Sequence, residues 1–340
     1  WRVSAKRRVD PIFMSAVLVV VSFSGAAVVP FDSFGKLQLM TWVMFVHIPV
    51  FLLVSASLLF RQQRAIAWGC IGITALLLLV GVDAFLIEPH WLEVSHVTIP
   101  TAKLEEPVRV VVIADLQTDT LGEYEERVFR EVKAAEPDLI LFAGDYLHLA
   151  DQERYLELTK ALNTMLREAE LEAPLGIYAV SGNVDWFEIW QDIFADLPIT
   201  TIDATTMLDL GPVVLTGLSL GDSATVTLAV EAEEKYHIVL GHLPNFSLGQ
   251  VDADLLIAGH THGGQVQIPF LGPIKSLSAV PRSWASGVTY IEPEKVLVVS
   301  RGVGLERMYA PRLRFLCRPE LVILDLVPDP GSAERQLGLP

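Results

Sequence analysis

The sequence predicts a mixed α/β domain, built as layered sheets flanked by helices, behind a helical transmembrane region. Three observations predict it. Three long apolar stretches open the chain, short β-branched runs alternating with amphipathic segments follow, and the charge balance changes sign between the two parts. Of 340 residues, 51% are hydrophobic and only 19% charged, with a mean hydropathy of +0.43, which a single water-soluble domain rarely shows. The average conceals a division at Leu92. The first 91 residues hold seven Lys/Arg against four Asp/Glu, a balance of +3, so the remainder carries −19 to give the net −16. So acidic a domain lacks the basic patch that neutralising phosphates requires, which excludes nucleic acid as a partner. Two cysteines exclude a disulfide framework or a cysteine-ligated metal cluster. Cys70 and Cys317 read as free thiols with packing roles.

Residues 1–91 form the transmembrane region. Its apolar stretches, Pro11 to Val29, Leu37 to Phe60 and Ala65 to Ile87, each approach the ~20 residues that cross ~30 Å of hydrocarbon. A cleaved signal peptide explains one such stretch, not three. Because the chain opens on Trp1 instead of Met, there is room for further helices ahead of it. Arg2, Lys6, Arg7 and Arg8 precede the first stretch, and Arg61 and Arg64 lie between the second and third, while Glu88, His90 and Glu93 follow the third. The positive-inside rule then places the soluble domain outside the cytoplasm, in a multi-pass protein of a bacterial cell membrane. His47 and Asp83 are the ionisable groups within the stretches; Asp83 lies close enough to a helix end to reach the interface, and a neutral His47 is expected to find a carbonyl.

Residues 92–327 form the soluble domain, and 328–340 read as a disordered tail. Strand-like runs are Val108–Ala114, Leu139–Ala143, Ile177–Ser181, Val213–Gly217, Ile238–Leu240, Leu255–Ala258, Val296–Ser300 and Glu320–Val327. Helical spacing marks Glu123–Ala135, Gln152–Ala169 and Trp186–Phe194. About 250 residues of this kind make one α/β domain or a two-sheet sandwich.

Polar residues suited to metals recur where the apolar runs end: Asp115 and Gln117 in IADLQ, Asp145 in FAGDY, Asn183 and Asp185 in SGNVDW, His242 in LGHLP, His260 and His262 in AGHTHGGQ. One Gly-Asp is usually a turn, and one Gly-His a capped loop; five strand ends in order are a pattern. Two divalent cations ~3.5–4 Å apart can clamp a phosphoryl group and activate a bridging water, and a carboxylate between them damps their repulsion. Asp145 is the candidate bridge. Imidazole, carboxylate and amide donors together suit Mn, Fe or Zn better than Ca. Gly263 and Gly264 read as positions where the backbone passes close to the metals. Gly302 and Gly304 suggest a dinucleotide fingerprint, but Arg307 stands where its third glycine belongs, and no Gly-x-Ser-x-Gly elbow is present.

The series resembles the calcineurin-like metallophosphoesterases, in which Asp-x-His, Gly-Asp, Gly-Asn-His-Asp, Gly-His and Gly-His-x-His occur in this order. The likeness runs from about Val108 to Val327. GHTHGGQ, followed by the Arg-Gly-Val-Gly segment and a Pro-Glu-Leu strand, looks most like the bacterial membrane-associated YkuE-like branch. The resemblance implies a four-layer αββα sandwich with two metals at one end. It implies Asp115, Gln117, Asp145 and His262 on the first metal and Asp145, Asn183, His242 and His260 on the second, with Asp145, Asn183, Asp185 and His242 as the catalytic group. The expected activity is hydrolysis of a phosphomonoester, phosphodiester or pyrophosphate by metal-bound hydroxide. The anchor suggests a lipid-linked substrate.

Two positions depart from the family's pattern. Gln117 stands where it usually has His, which weakens a Zn site more than a Mn site. Val184 replaces the His that assists the leaving group, and valine has no proton to give. Such assistance is typically worth about 10²–10⁴-fold, so leaving groups that need little protonation are expected; His148 is a candidate substitute acid. Arg301, Arg307, Arg312 and Arg314 are candidates for phosphate contacts, with plain surface charge as the alternative. The competing function is a pseudoenzyme that uses the fold as a membrane-bound binding or scaffolding module. A transporter is disfavoured, since the apolar stretches lack the polar groups and interruptions of a transport path.

Overall fold

Apolar runs that alternate between two buried faces dictate the architecture. In Val108–Ile113 (β2), Val110 and Val112 belong to one hydrophobic cluster and Val111 and Ile113 to another. Strands covered on both faces read as continuous β-branched runs. The computed structural model describes residues 13, 16–21, 33–185 and 189–329. Two six-stranded mixed sheets result. The first has the order β1 (Glu93–Thr101), β16 (Glu320–Pro328), β2, β3 (Leu139–Phe142), β4 (Ile177–Val180), β5 (Thr200–Ile202). The second has the order β14 (Gly287–Glu292), β15 (Lys295–Val299), β11 (Leu255–Ala258), β9 (Tyr236–Leu240), β7 (Val213–Gly217), β6 (Thr206–Asp209).

The sheets share one core. Val110, Val112, Leu139 and Leu141 of the first meet Leu215, Ile238, Ile257 and Val298 of the second in a single buried cluster. On the other face of the first sheet, Ile140 and Phe142 pack with Val128, Phe129 and Val132 of a helix over Glu123–Ala134, and with Tyr155, Leu158 and Leu162 of a helix over Gln152–Ala169. The second helix starts at Asp151, whose side chain caps the Arg154 N–H at 2.8 Å. The outer face of the second sheet is covered more thinly. There Val239, Leu256 and Val299 pack with Leu218 and with Phe246 of a short 3₁₀ turn, Pro244–Leu248, so a full helical layer is absent from that side among the described residues. The expected four-layer order is thus formed only in part, with helices covering one side and short elements the other. Where Trp186–Phe194 was expected to be helical, the described part is a 3₁₀ turn, Trp190–Phe194.

The chain divides into two compact units, one of 1–87 with 306–313, the other of 88–305 with 314–340. Among the described residues two helices, Phe34–Leu59 in the first unit and Arg64–His90, which ends in the second, are long and apolar enough to cross a membrane. They match the second and third expected stretches; the first, Pro11 to Val29, lies largely outside the described residues, as does the tail beyond Asp329. Each contains a π-helical turn, at Val43–His47 and Asp83–Ile87, which is where His47 and Asp83 fall. His47 Nδ1 is buried without a hydrogen-bond partner among the described residues.

Leu141 lies at the centre of the shared core and is fully buried. Leu141→Ala is expected to cost about 2–5 kcal/mol and to lower the melting temperature by roughly 5–15 °C. Met207→Ala, at an exposed position, should leave it within about 2 °C. Thermal unfolding of the detergent-solubilised chain followed by circular dichroism measures both.

Candidate metal centre

All five polar strand ends belong to parallel neighbours. β2, β3 and β4 run parallel side by side in the first sheet, as do β9 and β11 in the second. Their C-terminal ends therefore open on one edge of the sandwich, where parallel sheets place their sites. The backbone turns abruptly there: Asp115, Gln117, Asp145, His260 and His262 all hold positive φ, between 35° and 68°. Non-glycine residues in this region cost on the order of 1–2 kcal/mol each, so the sequence accepts strain at five of the seven expected ligands. Backbone bonds fix the turns. Asp115 and Gln117 donate to the Gly144 and Asp145 carbonyls at 3.0 and 2.9 Å, and Gly259 donates to the His242 carbonyl at 3.0 Å.

Asp145, His242 and His260 each bring one ligand atom to within 4.8 Å of the others. Asp145 lies at the middle of the set. Its Oδ1 accepts the Val184 N–H at 2.9 Å, and its Oδ2 accepts the Gln117 amide at 2.9 Å and lies 3.3 Å from His242 Nε2. His242 donates Nδ1–H to the Ala143 carbonyl at 2.7 Å, which turns Nε2 to Asn183 Oδ1 at 3.0 Å and to Asp145. This is how metal-ligating histidines are oriented. His260 donates through Nε2 to the Leu277 carbonyl at 3.2 Å, leaving Nδ1 as its ligand nitrogen, and its backbone N–H rests on the Asp115 carboxylate at 2.9 Å. His262 Nε2 lies 3.7 Å from Asp115 Oδ1, buried and without a hydrogen-bond partner among the described residues. An orphaned imidazole nitrogen beside a buried carboxylate, with three further ligands converging nearby, fits a cation better than a solvent-free void.

The electrostatics agree with that reading. Burial, and then the charge of Asp145, push the Asp115 carboxyl up to about 7. Burial would raise Asp145 too, but His242 beside it and the Val184 N–H hold it well below the usual carboxylate range. His242 is lifted to about 9: burial opposes the charged ring, yet Asp145 and Asp115 outweigh it. His260 falls to about 4 through burial and the nearness of His242, and His262 falls well below its ordinary value through burial and Arg314. A field that binds a proton tightly at His242 Nε2 is one that would hold a cation there.

Several expected residues have other partners. Asp185 points at backbone: its Oδ2 accepts the Asp145 and Gly182 N–H groups, both at 2.7 Å, and its Oδ1 accepts the Tyr146 N–H at 2.8 Å. Gly182 must be glycine, since a Cβ there would lie 2.1 Å from Asp145 Oδ1. At Gly263 and Gly264 a Cβ would strike Cys317, Arg301, Pro273 and Lys275 and not the ligands, so their expected role is corrected. Arg301 is paired with Glu320 at 3.0 Å and Glu93 at 3.2 Å. Arg314 is wholly buried, its guanidinium donating to the carbonyls of Arg301, Gly302, Gly304 and Cys317 at 2.6–3.2 Å. Neither arginine is a plain surface charge, and Cys317 is a buried thiol that donates to the His262 carbonyl at 3.3 Å. The carbonyls of Ala143 and Leu277, which orient two ligand rings, leave no trace in side-chain identity.

Side chains able to hold a metal thus converge at the ends of parallel strands in a two-sheet sandwich, and sequence comparison points to a class of phosphoesterases. The family model described as calcineurin-like phosphoesterase matches residues 108–264. The metallophosphoesterase YkuE of Bacillus subtilis is 27% identical over 264 residues, 71% of this chain and 87% of that protein. The phosphodiesterase YaeI of Escherichia coli is 26% identical over 255 residues, 71% of this chain and 90% of its own. The UDP-2,3-diacylglucosamine pyrophosphatase LpxG of Chlamydia muridarum is 24% identical over 288 residues, 66% and 84% respectively. Residues 108–264 are a calcineurin-like phosphoesterase domain, and the named relatives support the metallophosphoesterase superfamily and its YkuE-like branch.

If Asp185 acts by holding the Asp145 loop, Asp185→Asn, which turns an NH₂ towards N–H donors, should lower metal affinity about 10–100-fold. Hydrolysis should then recover at high metal concentration. Metal titration with and without substrate separates this from direct participation, for which the loss would persist at saturating metal.

Proposed function

We propose that the chain is a membrane-anchored, metal-dependent phosphoesterase that hydrolyses a phosphomonoester, phosphodiester or pyrophosphate bond. The observation that carries the reading is the convergence of Asp145, His242 and His260 on one point, with Asp115, Gln117, Asn183 and His262 around it. Asp145, Asn183, His242 and His260 would hold one cation, and Asp115, Gln117, Asp145 and His262 the other, with Mn, Fe or Zn suited to the donors. When bound, the pair supplies Lewis-acid charge and a water made nucleophilic at neutral pH.

The protein's own groups do the rest. The Ala143 and Leu277 carbonyls fix the tautomers of His242 and His260. The Val184 N–H fixes Asp145, and Asp185 ties together the two loops that carry them. Asn183 is the exposed member of the set, which suits it to meet substrate at the mouth of the site. The Val184 side chain is buried and has no proton to donate, which favours aryl or phosphate leaving groups. LpxG, whose name records action on a lipid-bearing nucleotide diphosphate, and the two apolar helices support a lipid-linked phosphoryl substrate. The basic residues before the first apolar stretch and at Arg61 and Arg64 support an orientation with the catalytic unit outside the cytoplasm.

The purified full chain should contain divalent metal and hydrolyse bis(p-nitrophenyl) phosphate with added Mn, Zn or Mg. Asp145→Asn and His260→Ala should each reduce the rate at least about 10³-fold. A folded chain without metal or activity would favour the scaffolding module. Val184→His should raise hydrolysis of alkyl phosphodiesters relative to nitrophenyl esters, by up to about 10²–10⁴-fold. Because that readout is a ratio, it is insensitive to any loss of folded protein. A uniform change across substrates would reject the missing-acid explanation.

A further inference from the structure

Among the large apolar side chains exposed in the unit of 88–305 with 314–340, the two most exposed are neighbours in sequence. β12 (Gln267–Ile268) and β13 (Gly272–Pro273) form a small hairpin. At its tip Phe270 is 107% exposed and Leu271 73%, and Ile268 and Ile274 beside them are exposed too. Phe270 also holds a φ of 70°, a conformation that bulky residues rarely adopt. A polar turn would remove both the exposure and the strain without touching a core cluster, so the tip presents apolar surface that no described residue covers, as interaction sites do.

Charge indicates what that is. The chain has 41 Asp and Glu residues in 340, yet none falls between Asp254 and Glu292, where Lys275 and Arg282 are the charged side chains apart from the histidines. A cationic, apolar segment in an acidic domain is complementary to an anionic lipid surface. Chain connectivity agrees with charge. Gln267 donates to the Phe315 carbonyl at 2.9 Å, and the next residues, Leu316 and Cys317, donate to the Glu88 carboxylate. Glu88 directly follows Ile87, where the second apolar helix makes its last π turn. Nearby, half-exposed Trp91 lies 3.6 Å beneath the Arg318 guanidinium, a pairing suited to the membrane–water boundary.

We infer that this hairpin is a membrane-docking wedge: Phe270 and Leu271 enter the interface of an anionic bilayer, and Lys275 and Arg282 face its phosphates. The inference rests on the anchoring part of the proposed function and not on its chemistry. It has a consequence for the chemistry. Leu277, whose carbonyl holds His260, ends the same segment, and an open pocket of about 380 Å³ lined by Ile274, Lys275, Leu277 and Arg282 lies beside it. Docking would bring the metal centre to the level of lipid headgroups.

The test uses the full chain carrying Phe270→Cys or, as a control at an exposed position on β6, Met207→Cys. Each is labelled with an environment-sensitive fluorophore and reconstituted into vesicles of phosphatidylcholine with or without phosphatidylglycerol. Unsubstituted protein gives the background from Cys70 and Cys317. Flotation with the vesicles reports the anchor alone. Acyl-brominated lipid should quench the label at 270 several-fold more than at 207, more strongly with phosphatidylglycerol present, and Lys275→Glu with Arg282→Glu should abolish the added quenching. Equal quenching at 270 and 207 in chains that float would overturn the wedge while leaving the anchor intact. Shielding of the 270 label that grows with protein density at fixed lipid composition would mean that a second copy covers the tip, and would overturn it as well.

Discussion

Two carboxylates that share a buried site require a positive charge between them, and much of the sandwich is organised by that requirement. Asp115 and Asp145 are both fully enclosed, and each charge raises the cost of the other. His242, driven between them by the Ala143 carbonyl, is the first answer. The second is the strained backbone itself, which turns N–H groups of His260 and Val184 onto the carboxylate oxygens. Strain of this kind persists only where the surroundings over-determine it, and here each turn is held by a neighbour across the sheet. Gly259 shows how tight the arrangement is, because a Cβ there would lie 2.5 Å from Asp115 Oδ2.

Arg314 extends the same logic one layer outward. A guanidinium buried without a carboxylate partner is costly, and this one is solvated by backbone carbonyls instead. Those carbonyls belong to 301–304 and to Cys317, the segments that approach Asp115 and His262 from behind. Its charge depresses His262, which keeps the ring neutral and able to act as a ligand. Arg301, held between Glu320 and Glu93, fixes the other end of the same segment. Basic residues that looked like candidates for substrate phosphate thus serve to hold the ligands.

How legible each part is in the sequence follows from where its information resides. Val108–Ile113, Leu139–Phe142 and Leu255–Ala258 are legible because burial on both faces writes an unbroken apolar run, and the polar residue after each run marks the strand end. β1 is not legible: in Glu93–Thr101 the alternation of polar and apolar residues breaks at Ser95–His96 and again at Ile99–Pro100, and the segment is a strand because it pairs with β16 over its whole length. β8 (Ala229–Val230), β10 (Gln250–Val251), β12 and β13 have two residues each, and only a partner can make them strands. The convergence of Asp145, His242 and His260 was legible through the repetition of polar residues across five strand ends. The function of Asp185 was not, since an acid that binds metal and one that binds three amides have the same letter. Nor does PRLRFLCRP reveal that its second arginine is enclosed.

The distribution of charge connects the site to its surroundings. The phosphoryl substrate proposed for this chain would be anionic, and residues 92–340, carrying −19, would repel it at long range. His260 and His262 open the stretch from 255 to 291 that contains no acid, so one side of the metal centre borders a surface free of that repulsion. On that side Lys275 and Arg282 supply the nearest compensating charge in the sequence, and Leu277 ties the stretch to a ligand ring. Elsewhere the acids are distributed along the helices of the first sheet, as in Glu123, Glu125 and Glu126 at one helix N-terminus, where they complement the helix dipole and keep that face soluble. An enzyme whose substrate diffused freely from every direction would gain little from such asymmetry. One whose substrate lies in a surface needs a single permissive face, with its metal ligands on that face and its acids turned to water.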